Sequence, residues 1–135
     1  MSQEDIDVVL ASIEAYNAED LDAQIATYAP DAVIVFDPAQ ALAFGGDSLV
    51  GREAFRNEVN AAQQFFGARY KLSEVRAAGE SQVLCRGEIG GIGAASGIEG
   101  YDRMSTLFTL RDGLITRLEF YRDHDEALKA AGLKG

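Results

Sequence analysis

Few side chains in this sequence are equipped for chemistry, and Asp37 comes first among them. It closes the apolar run Ala32-Val33-Ile34-Val35-Phe36 and precedes Pro38. A carboxylate walled by Val35, Phe36 and other apolar groups loses hydration. That favours its neutral form and lifts its pKa toward that of a working general base. The plainer reading of the same residue is a strand terminator, because Asp before Pro commonly opens a turn. Arg86 and Glu88 share one strand face and can pair across to Arg103 or Glu119, while Asp102 and Arg103 are sequence neighbours and face opposite sides. Tyr16, Tyr28 and Tyr101 supply phenols. His124 is the single histidine and Cys85 the single cysteine, so neither a zinc cluster nor an internal disulfide is expected. Cys85 follows Gln82-Val83-Leu84 and reads as a small buried strand residue. His124 falls in the first turn of a terminal helix and is expected to be exposed. The neighbouring Asp123, Asp125 and Glu126 suit a helix start better than a calcium loop.

Six of the 14 glycines fall at positions 87, 90, 91, 93, 97 and 100. Gly91-Ile92-Gly93-Ala94-Ala95-Ser96-Gly97 has the flavour of a dinucleotide loop, but the third glycine comes one residue late. No amphipathic helix follows to offer its N-terminus to a pyrophosphate. A flexible turn between two long strands is expected there, with a mobile lid over a pocket as the second reading.

The elements that must position these groups change period midway. Ile6, Val9, Leu10, Ile13 and Tyr16 form the stripe of an amphipathic helix, with Ser2 as its cap. Asp20 caps a short second helix carrying Leu21, Ile25 and Tyr28 and ended by Pro30. Residues 32–36 form a first strand, apolar at every position and so expected to be covered on both faces. Residues 39–50 read as a loop. A third helix opens at Gly51-Arg52-Glu53, buries Phe55, Val59, Ala62 and Phe66, and stops at Gly67. Thereafter period 2 gives strands over 69–75, 82–89, about 98–110 and 114–122, with Asp112-Gly113 as a hairpin turn. A last helix spans 124–131, with Asp123 and Glu126 placed for a capping box and Gly132 past its end. Helices first and strands after describe an α+β fold whose antiparallel sheet is covered on one face.

Composition bounds the partners. The 135 residues suit one domain over 1–135, and 12 basic against 22 acidic residues leave a net charge of −10. Such a chain has no basic face for nucleic acid or for an anionic membrane surface. The opening Ser2-Gln3-Glu4-Asp5 has neither a basic nor an apolar signal region, so a cytoplasmic location is expected.

Three stretches resemble the SnoaL-like branch of the NTF2-like superfamily. Asn17-Ala18-Glu19-Asp20-Leu21-Asp22-Ala23, followed by Tyr28-Ala29-Pro30-Asp31-Ala32-Val33, looks like the family's opening. Gly51-Arg52-Glu53-Ala54-Phe55 matches the usual start of its third helix. The stretch from Phe108 to Asp123, with Glu126-Ala127-Leu128 and Ala130-Ala131-Gly132-Leu133, resembles its C-terminal signature. The resemblance implies a curved sheet wrapped around helices, a deep apolar cone-shaped pocket and a homodimer. In related isomerases a carboxylate at the end of the first strand is the base, which puts Asp37 in that role. Tyr16, Phe36, Met104, Thr106, Phe108, Leu118 and Phe120 would then bind the ligand. Thr106 occupies the place where relatives carry a catalytic His or Asp, and Leu118 and Phe120 fall where relatives often carry a polar or acidic group. Ser12 lies near the family's tyrosine position. The implied activity is a cofactor-free isomerase, cyclase or lyase on an apolar, carbonyl-bearing or polycyclic substrate. The alternatives are a non-catalytic ligand-binding or association module and an epoxide hydrolase using Asp37, Arg103 and Asp102.

Overall fold

The computed structural model describes residues 2–92 and 99–134. Helix α1 runs Ser2–Asn17, starting at Ser2 itself. Its sealed line is Val9, Ser12 and Ala15, while Leu10 faces outward, so the stripe is rotated from the one its apolar residues suggested. Asp20 caps α2, Leu21–Ile25, by accepting from the Ala23 N–H. The chain then enters strand β1, Tyr28–Val35, four residues earlier than expected and with Pro30 inside it. Pro30 is tolerated because pairing with the neighbouring strand shifts between Tyr28 and Val33, where no ladder N–H is required of it. Ala32 and Ile34 are sealed, whereas Val33 and Val35 are only half-buried, so just one face of β1 is fully covered.

The segment read as a loop is structured. Pro38–Phe44 forms helix α3 and Ser48–Val50 forms strand β2. Asp37 is the N-cap of α3: its carboxylate accepts from the Gln40 N–H at 2.8 Å while the Gln40 side chain accepts from the Asp37 N–H at 3.1 Å. This reciprocal box, with Pro38 at the first helical position, is a strong start signal. Helix α4, Arg52–Phe66, buries Phe55, Val59 and Gln63 and ends at Gly67 in the left-handed conformation. Phe55 and Val59 sit as expected; the Phe66 side chain lies outside the described ones.

Strands β3 (Arg69–Ala78), β4 (Gln82–Ile92), β5 (Glu99–Arg111) and β6 (Leu114–Tyr121) follow as successive antiparallel neighbours. Gly87, Gly90 and Gly91 belong to β4 and Gly100 to β5, so much of the glycine cluster is strand; Gly93 and Gly97 lie outside the described residues. Asp112 and Gly113 adopt φ values of 53° and 78°, the two-residue turn that their sequence announced. The sheet order is β2-β1-β6-β5-β4-β3. It is curved and mixed, because β1 pairs β6 in parallel, which corrects the antiparallel expectation.

The main core lies between the inner sheet face and α1, α2 and α4, around Val9, Ile25, Ile34, Phe55, Met104 and Ile115. Helix α5, His124–Ala131, packs on the outer face, where Ala127 and Leu128 meet Leu84 and Leu107. Its cap Asp123 accepts from Asp125, one residue short of the Glu126 expected.

Candidate functional site

A cavity of about 110 Å³ opens between the helices and the inner sheet face. The period-2 strands place Thr106 and Phe108 of β5 opposite Phe120 and Leu118 of β6, all four on its wall. Phe36 stacks on Phe120, with ring centroids 6.2 Å apart, and closes one side. Helix α4 adds Phe55, Val59 and Ala62 together with Glu58, and α1 adds Ile13 with Ser12 and Tyr16. Gln24, Tyr28, Gln40, Tyr70 and Ile89 complete the lining.

Three phenols reach this space, and burial raises the pKa of each above its ordinary value. Tyr16 is pushed up to about 12 by burial, against the pull of Arg69. Tyr28 is raised further by burial, with the Ser12 hydroxyl beside it acting in the opposite sense. Tyr70 is also raised by burial, and its hydroxyl donates to the Met104 carbonyl at 2.8 Å. The Asn17 side chain grips Tyr70 at both backbone groups, at 2.8 and 2.9 Å. Tyr70 is therefore a fixed wall, not a free donor.

Two polar atoms on the lining are different. Gln24 Oε1 and Thr106 Oγ1 are both buried and hydrogen-bond to no described residue. The Thr106 hydroxyl stands beside Tyr70 and Cys85. The Cys85 thiol itself is pushed up to about 12 by burial and has no route to solvent. Orphaned buried polar atoms are costly and infrequent in folded proteins, so two on the lining of one cavity call for a reason. Glu58, half-buried, is the single carboxylate among the described lining residues, and its side chain forms no hydrogen bond or ion pair with another described residue.

Tyr16, Phe36, Thr106, Phe108, Leu118 and Phe120 all reach the cavity, whereas Met104 is sealed in the core and lies off the lining. Asp37 also lies off it. One carboxylate oxygen caps α3 and the other accepts from Arg122 Nε at 2.6 Å, so both are engaged away from the cavity. Arg122 also reaches Asp102 at 3.5 Å. The two aspartates of the Asp–Arg–Asp set thus meet on Arg122 instead of Arg103, and none of these four lines the cavity. Arg103 sits opposite Glu88 in the β4–β5 register.

Gln24, Gln40, Glu58 and Tyr70 were not singled out in the sequence. Glu58 had a legible signal: it follows Phe55 by three residues and precedes Val59, a carboxylate on the margin of an apolar helix face. Outside the cavity, His124 is half-buried, not exposed, and its Nδ1 lies 2.7 Å from the Ser105 hydroxyl. Burial lowers its pKa, and Arg86 adds to the effect. No group of three metal-ligating side chains occurs among the described residues. No helix among them is long and apolar enough to cross a membrane.

The helices, mixed curved sheet and inner cavity define an NTF2-like α+β cone. The SnoaL-like domain model matches residues 9–118, and the chain belongs to that family. Three solved structures illustrate the likeness. A suggested polyketide cyclase from Xanthomonas campestris pv. campestris is 24% identical, with 96% of this chain and 98% of that one covered at a TM-score of 0.78. An NTF2-like protein of unknown function from Burkholderia pseudomallei is 18% identical, with coverage of 96% and 97% and a TM-score of 0.78. A protein with a ketosteroid isomerase-like fold from Catenulispora acidiphila, in complex with trimethylamine, is 21% identical, with coverage of 94% and 93% and a TM-score of 0.72. A search of curated protein sequences finds no match.

Proposed function

We propose that this chain binds a compact, neutral, carbonyl-bearing molecule in the inner cavity and moves a proton on it without a cofactor. Glu58, not Asp37, is the base. The observations that support this reading are an apolar cavity whose described lining includes one carboxylate, Glu58, paired with no described residue, and the buried Thr106 hydroxyl, which stands beside Tyr70 and Cys85 with no described partner at hydrogen-bond geometry. Thr106 donates a hydrogen bond to the carbonyl oxygen, so charge that develops there during proton removal is met by a fixed dipole. Glu58 takes the proton from the adjacent carbon and returns it to another carbon of the same molecule. Nothing is oxidised, and atoms balance within substrate and carboxylate. Thr106 cannot itself carry the proton, because a hydroxyl of that kind does not ionise near neutral pH.

A polycyclic substrate is dropped from the proposal. The space of about 110 Å³ is smaller than the roughly 150 Å³ cavity that holds benzene and well below the ~300–1,000 Å³ of larger ligand sites. One small ring, with modest side-chain adjustment, matches it.

Deuterium wash-in next to the carbonyl of cyclohexanone in D₂O, followed by NMR, tests the reading without knowledge of the natural substrate. Wild type should exchange well above the buffer rate, and Glu58→Gln should lose about 10²- to 10⁴-fold while retaining binding. Binding without exchange would leave a non-catalytic ligand carrier, the second reading, which Asp37's withdrawal from the cavity favours.

A further inference from the structure

The geometry points to a more specific ligand: a single-ring compound that carries a hydroxyl as well as a carbonyl, with the hydroxyl held by Gln24. The inference rests on the cavity reading above and adds to it the identity of a second polar group. Gln24 is 4% exposed, and its Oε1 hydrogen-bonds to no described residue. It lies on α2, whose N-terminus is fixed by the Asp20 cap, and its side chain is buried. A carboxamide oxygen can only accept. A ketone or ether therefore leaves it as unsatisfied as an empty cavity does. A hydroxyl satisfies it, and can accept from the amide N–H₂ of the same side chain as well. Thr106 stays available for the carbonyl.

The remaining wall restricts the rest of the molecule. Phe36, Phe55, Phe108 and Phe120 present ring faces and edges, which suit a flat or chair-like ring. The described lining has no Lys, Arg or His, and its one carboxylate repels a like charge, so the ligand is not an anion. At about 110 Å³ the cavity takes at most one ring, and that with side-chain adjustment.

Isothermal titration of the full chain compares cyclohexanone, the 3- and 4-hydroxycyclohexanones and the two-ring ketone 2-decalone. The better hydroxy isomer should bind roughly ten- to hundredfold tighter than cyclohexanone, the range expected when a buried orphan acceptor finds its donor. In Gln24→Met the ratio of the two affinities should fall close to one. Gln24→Leu serves as the second variant if Met disturbs the fold, as judged by thermal melting. 2-Decalone should bind more weakly than cyclohexanone. Equal or inverted affinities in wild type, or a ratio that survives both substitutions, would overturn the assignment to Gln24 while leaving the cavity reading intact. Failure of every ketone to bind would instead remove the cavity reading itself.

Discussion

Ser105 and Thr106 are adjacent on β5, equally buried and equally hydroxylated, yet they live in different worlds. Ser105 points to the outer face, where His124 of α5 meets it at 2.7 Å. Thr106 points inward to the cavity, and its oxygen has no described hydrogen-bond partner. The contrast extends beyond the pair. Outside the cavity, Tyr121 and Arg117 converge on Glu119, and Arg122 grips Asp37. On the cavity lining, Gln24 and Thr106 each have one atom with no described hydrogen-bond partner, and Glu58 pairs with no other described residue. Pairing marks polar groups that hold the fold; on the function proposed above, its absence marks groups kept for a ligand. A strand, with side chains alternating across the sheet, makes that separation possible within two residues.

The largest effect that would sharpen this division belongs to Asp37. Asp37→Ala removes the α3 cap and strips a half-exposed Arg122 of its shorter ion pair, leaving it Asp102. It should cost about 2 kcal/mol in urea unfolding. Asp37→Asn keeps a capping oxygen and should cost about half as much, ~1 kcal/mol. Both should leave deuterium wash-in by the folded fraction nearly unchanged; loss of exchange with stability preserved would return Asp37 to the catalytic role.

Next comes the adjacent pair itself. Ser105→Ala leaves a half-buried imidazole without its hydroxyl and should destabilise by about 1 kcal/mol. Thr106→Val is near-isosteric and deletes an orphan, so the ligand-free protein should be unchanged or up to ~1 kcal/mol more stable, while ketone affinity falls. Equal destabilisation by the two substitutions would erase the distinction between the faces.

The smallest effect is the pH response of the outer pair. Burial lowers the His124 pKa, assisted by Arg86 and Arg76 and opposed by Glu74 and Asp125. The folded state thus binds a proton less readily than the unfolded chain, whose histidine titrates near ~6.5. The stabilising contribution is complete above that pH and is lost as pH falls from there through the folded value. Melting temperatures of wild type should decline over that window more steeply than those of His124→Gln; parallel curves would count against the assignment.

Much of this architecture was visible beforehand, for local reasons. The change from period 3.6 to period 2, the Asp112-Gly113 turn and the Gly132 stop are written in short windows of chain. So was the parity that set Thr106, Phe108, Leu118 and Phe120 on one side. Helix α3 was missed because its start signal, Asp37-Pro38, equally describes a strand end. Its Leu42 is 88% exposed, so no apolar stripe gave it away. The parallel junction of β1 with β6 joins distant segments and leaves no local period. The direction of Asp37 was decided by Arg122, 85 positions away, and no spacing rule reaches that far. Gln24 sits on a five-residue helix, too short for periodicity to separate an inward amide from a solvent-facing one.

Gly87 carries a consequence for anyone who would reshape this protein. A methyl group built on it would collide with the Lys71 carbonyl and lie 2.9 Å from the Tyr70 ring. The bare backbone is therefore a saddle: the ring lies across β4, and its hydroxyl clasps β5 at Met104. A combinatorial library aimed at new ligands would naturally randomise the residues that touch the void, and Gly87 touches none of it. Yet alanine there would unseat Tyr70 and move a wall that every one of those variants takes for granted. Position 87 is the one to hold constant.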